Sequence, residues 1–75
     1  MSERLPRVTA REIIRVLERR GFVLARSSGS HHIYKSAAGK RATVPVHAGQ
    51  TLHPKVLQSI LRDADMTVED LKEQL

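Results

Sequence analysis

"FVLARSSGSHHIYKSAAGKRATVPV", residues 22–46, decides the fold. It holds three short runs of strand formers separated by turn residues. Phe22 to Arg26 is apolar and bounded by Gly21 and the cluster Ser27-Ser28-Gly29-Ser30, which predicts a strand. His31 to Ser36 predicts a second, and Ala37-Ala38-Gly39-Lys40 a turn. Arg41 to Val46 predicts a third, with Ala42, Val44 and Val46 on one face and Arg41 and Thr43 on the other. Pro45 has no N–H to give a ladder, so that strand lies at an edge or ends there. Links this short join neighbouring strands antiparallel.

Helices flank the meander. Thr9-Ala10-Arg11-Glu12 is a capping-box pattern, in which Thr9 and Glu12 satisfy each other's backbone N–H. Ile13, Ile14, Val16 and Leu17 follow at helical spacing, and Gly21 suits the position after a helix end. The spacing predicts a helix over about 10–20. Pro54 suits a first helical position with His53 as the cap, and Val56, Leu57, Ile60 and Leu61 form an apolar stripe. Thr67-Val68-Glu69-Asp70 opens a last short helix carrying Val68 and Leu71. The expected fold is α+β, in the order α-β-β-β-α. A three-stranded antiparallel sheet carries helices on one face, with a short C-terminal helix added. One domain spans residues 1–75, residues 1–8 being a flexible N-terminus. The order is also that of the double-stranded-RNA-binding fold, an analogy of topology only.

Composition narrows the chemistry. With one Phe, one Tyr and no Trp, the core must be aliphatic. The absence of cysteine excludes a disulfide, a thiolate nucleophile and a Cys-type zinc site. Four histidines invite a zinc reading, but two are adjacent and His47 and His53 stand six apart, which does not match the spacing of structural zinc. Tyr34 stands where a phosphate-binding loop ending at Gly39-Lys40 needs glycine. The N-terminal residues lack the apolar run of a signal peptide and no segment approaches a membrane span, so a cytoplasmic protein is expected. The formal net charge is +5, all of it in residues 1–35, where eight Lys/Arg face three acids. A one-sided basic field attracts a polyanion, of which RNA and DNA are the common ones.

Several short fragments then line up. Gly21-Phe22 follows the first helix, and Gly29-Ser30-His31 opens the second strand. Val44-Pro45-Val46-His47 closes the third strand, and Leu57-Gln58-Ser59-Ile60-Leu61 lies in the second helix. In this order and spacing, over about residues 9 to 71, the chain resembles the HicA-type toxins of toxin–antitoxin pairs. The resemblance implies a metal-independent, cofactor-free endoribonuclease that cleaves mRNA, built on the double-stranded-RNA-binding fold. It also implies a HicB-type antitoxin that covers the active surface: a monomer alone, a hetero-oligomer with its antitoxin. One catalytic histidine is implied in the Gly-Ser-His region, at His31 or His32.

The residues suit that chemistry. RNA carries its own nucleophile, the 2′-hydroxyl, so the protein needs only to move protons, hold the backbone and stabilise charge. An imidazole, titrating near neutrality, serves as base or acid. Gly29 and Ser30 let the backbone approach a phosphate. In the implied fold the loop between the first two strands reaches toward the RNA. His53 and Lys55 at the start of the second helix suit an anion. Arg11 and Arg15 extend the basic track along the first helix, with Arg19 beyond them, and Arg26 and Lys35 flank the histidines. Adjacent strand residues face opposite ways, so His31 and His32 cannot both meet one substrate. If Tyr34 packs inward, His31 faces out; if Ile33 does, His32 does. A non-catalytic double-stranded-RNA-binding module is the competing reading.

Overall fold

The computed structural model describes residues 4–75. Its elements are α1 (Ala10–Arg19), β1 (Val23–Ser28), β2 (His31–Lys35), β3 (Arg41–Pro45), α2 (Pro54–Asp63) and α3 (Val68–Gln74). This is the expected α+β order, with the three strands forming an antiparallel sheet in the order β1-β2-β3.

Local chemistry sets the helix ends. The Glu12 N–H donates to Thr9 Oγ1 at 3.2 Å and the Thr9 N–H donates to Glu12 Oε1 at 2.8 Å, closing the capping box of α1. At the other end the Phe22 N–H reaches the Leu17 carbonyl and the Gly21 N–H the Glu18 carbonyl. That is a Schellman stop, and it needs Gly21 at φ +91°. Phe22 is buried just beyond it. α2 ends the same way, with Met66 donating to Leu61 and Asp65 to Arg62. Here the left-handed position falls to Asp65, at φ 58°. A second capping box, Thr67 with Asp70, starts α3.

The core lies between the sheet's inner face and the helices. Tyr34, Ala42 and Val44 supply that face, and Ile13, Val16, Leu17, Leu57, Ile60, Leu61 and Leu71 supply the helices. α1 and α2 both pack against β3. Leu71 is fully buried, and the Arg19 guanidinium donates to the Gln74 carbonyl at 2.8 Å, so α3 is part of the fold.

Three features depart from expectation. β1 runs to Ser28, because Gly29 and Ser30 alone make the turn and Ser27 and Ser28 join the ladder opposite His32 and His31. Every residue of β1 is exposed, including Val23 and Leu24, at 66% and 50%. The pairing is irregular between Leu24 and Arg26, and of the apolar run only Phe22 reaches the core. Finally, the segment read as a flexible N-terminus is tied down over its described part: Leu5 packs on the core, Val8 is buried, and the Val8 carbonyl accepts from Leu52 N–H at 2.8 Å.

Candidate active site at the hairpin end

Tyr34 resolves the orientation of the histidine pair. Its ring is buried at 5% exposure, on the face that meets the helices. His32 shares that face, lies opposite Val44 and is half-buried. His31 therefore faces the other way and is exposed, opposite Pro45 on one side and Ser28 on the other. Burial pushes the Tyr34 phenol above its ordinary 10.0, and the nearby Glu18 carboxylate adds to the effect.

Register pairing assembles the open face around His31. Lys35 lies four residues along the same strand, on the same face and at its other end. Arg26 is opposite Ile33, and Arg41 is opposite Lys35, so both point to the same side as His31. The three strands carry no acidic residue. The histidine thus stands on an acid-free surface bearing Arg26, Lys35 and Arg41.

The turn beside it is tight. Gly29 has φ +57°, as the first central residue of a two-residue hairpin loop requires, and the Ser30 carbonyl accepts from Val46 N–H. The sequence led us to expect a reaching loop; a two-residue turn has no such length and instead holds His31 rigidly at the sheet's rim.

Both long helices begin at this end, because each runs antiparallel to the strand joined to it. The isolated bridge between Thr9 and Thr51 closes the same end. Helix N-termini carry partial positive charge, so the rim gains two favourable dipole ends. Two grooves open here. One, about 420 Å³, is lined by Arg11, Val46 and His47. The other, about 310 Å³, runs from Pro45, the partner of His31, past His47 to His53 and Val56. His53 caps α2 by accepting the Lys55 N–H on Nδ1 at 3.1 Å, so its cap role and its place in the groove coincide.

The site residues expected from sequence therefore divide. Gly29, Ser30, His31, Arg11, His53 and Lys55 gather at one end, and Arg26 and Lys35 continue from His31 over the open face. Arg15 lies elsewhere, in a groove with Arg19, Gln74 and Leu75 beside the end of α3. His47, to which the sequence assigned no role at the site, lines both grooves of the rim. Its signal was present in Val44-Pro45-Val46-His47. Among the described residues no three His, Asp or Glu side chains gather closely enough to hold a metal ion. Nor is any described helix long and apolar enough to cross a membrane.

Comparison with known proteins fits this arrangement. No curated protein matches the chain. A family model, that of the HicA toxin of bacterial toxin–antitoxin systems, matches residues 10–66, from the start of α1 to just past α2. The chain belongs to the HicA toxin family, whose members are the toxins of bacterial toxin–antitoxin pairs.

Proposed function

We propose that this toxin is an endoribonuclease that cleaves mRNA and that His31 moves the proton. One observation carries the reading: an exposed imidazole at the sheet's rim, on an acid-free face that also bears Arg26, Lys35 and Arg41. Exposure admits a substrate, and the cations favour a polyanion.

The substrate's 2′-hydroxyl attacks the adjacent phosphorus while His31 takes its proton. The P–O5′ bond breaks as the new P–O2′ bond forms, and the departing 5′-oxygen is protonated by the imidazolium or by water. Negative charge grows on the non-bridging oxygens during the attack, where Arg26 stabilises it, while Lys35, about 13 Å along the strand, draws the flanking backbone over the open face. Gly29 and Ser30 let the phosphodiester approach the turn. Arg11, Lys55 and the start of α2 hold neighbouring phosphates, as helix N-termini do. The nucleophile belongs to the RNA, so these residues suffice without a metal or cofactor. Arg15 contributes to the basic field rather than to contact at the cut.

His32 has a different task. It lies over Val44 on the helix side and supports the hairpin rather than meeting substrate. An mRNA substrate places the toxin in the cytoplasm, and a HicB-type antitoxin would silence it by covering the rim. On this reading, purified protein in excess chelator cuts an RNA oligonucleotide and leaves its all-2′-deoxy counterpart whole. Binding of that RNA without any cutting would make the chain a non-catalytic RNA-binding module instead.

A further inference from the structure

A third groove adjoins the rim, on the far side of the start of α2. It has a volume of about 590 Å³ and lies between residues 4–7 and the first turns of α2, lined by Arg4, Arg7, Leu52, Pro54 and Gln58 among others. Leu52 is also a wall of the groove that leads from Pro45 past His47 and His53. The two hollows therefore adjoin at Leu52.

The groove is cationic and anchored. Arg4 and Arg7 are exposed, and neither forms an ion pair among the described residues. The backbone that carries them is fixed: Leu5 packs on the core, Val8 is buried, and Thr9 bridges to Thr51. Two guanidiniums on a tethered segment lose little freedom when they meet an anion. Arginine's planar fork also matches a phosphate's paired oxygens. Gln58, one helical turn after Pro54, adds a polar amide. Leu5, Pro6, Leu52 and Pro54 complete the lining, and no acidic residue is among them.

We propose that this groove is a second subsite for the RNA backbone. There Arg4 and Arg7 hold phosphates some nucleotides away from the bond that His31 acts on. The inference rests on the reading of the chain as an RNA-acting toxin and deepens it, by giving the substrate a direction of travel across the molecule.

The test uses full-length protein and a short fluorescein-labelled 2′-O-methyl RNA, which lacks the nucleophile and so reports binding alone. The double variant Arg4→Ala/Arg7→Ala should bind it roughly tenfold more weakly. Its plot of log affinity against log salt should flatten by about 1.4, two single-strand phosphate contacts' worth. Arg4→Lys/Arg7→Lys should keep most of the slope. Gln58→Glu, at an exposed helix position, should weaken binding without touching residues 4–7. Unchanged affinity and slope in the double variant would overturn the proposal while leaving the RNA reading standing. So would unchanged RNA affinity with loss of antitoxin binding, which would make the groove a protein-docking surface. Failure of the wild-type protein to bind the probe at all would overturn both readings together.

Discussion

At the scale of single residues, Tyr34 does more than fill space. Its burial decides which neighbouring histidine faces the solvent, and the same burial leaves a measurable trace. The phenol's pKa is raised in the folded state, first by loss of solvent and then by Glu18. The neutral phenol is therefore favoured by folding. This stabilisation is fully present below the unfolded value near 10.0 and is lost as pH rises through the higher folded value. As the chain's only tyrosine, it can be followed directly by phenolate absorbance. The midpoint should lie above 10.0 in native protein and fall back toward it in urea, and Tyr34→Phe should lessen the loss of stability at alkaline pH. A native midpoint at or below the urea value would contradict the packing described. Gly21 offers a second check. A methyl group there would meet nothing within 4 Å, so Gly21→Ala tests backbone conformation alone. The left-handed φ should cost about 1–2 kcal/mol, read from urea unfolding.

Elements were legible where a side chain must satisfy the backbone. Thr9 and Glu12, Pro54 after His53, and Thr67 with Asp70 each announce a helix start, and each start stands where those residues place it. Thr9→Ala should cost about 1 kcal/mol of unfolding free energy, because it leaves a helix N–H without its partner. β3 was equally legible, since strict alternation means one buried face. β1 was not. An apolar run announces burial, but Val23 and Leu24 lie on an edge strand that the helices leave open, and only tertiary placement could say so. The Ser27–Ser30 cluster misled for a related reason. Small polar residues suit a loop or an exposed strand alike, and the left-handed Gly29 let two residues complete the turn. The N-terminal segment hid its anchoring because Leu5 and Val8, separated by Pro6 and Arg7, show no periodicity.

For the whole molecule, the charge asymmetry of the sequence becomes a geometric fact. The two helix N-termini, the arginines of residues 4–11 and His31 share one end, and Arg26, Lys35 and Arg41 continue from it over the acid-free open face, while the ion pair of Lys40 with Asp65 sits at the other end. The sequence could name most of the site's residues but could not join them. Arg11 and Lys55 are far apart in the chain and meet at the rim only through the order of the fold. Arg15 has the same composition signal as Arg11 and faces elsewhere. Nor could the pattern of residues 31 to 34 choose between two imidazoles, since either Ile33 or Tyr34 could have turned inward. The most direct test of the account is single-turnover RNA cleavage by His31→Ala and His32→Ala, compared at matched folded concentration. His31→Ala should cut about 10²–10⁴-fold more slowly while still binding RNA, and His32→Ala should retain cleavage with a lowered melting temperature. Normal cutting by His31→Ala, or its loss only in His32→Ala, would contradict it.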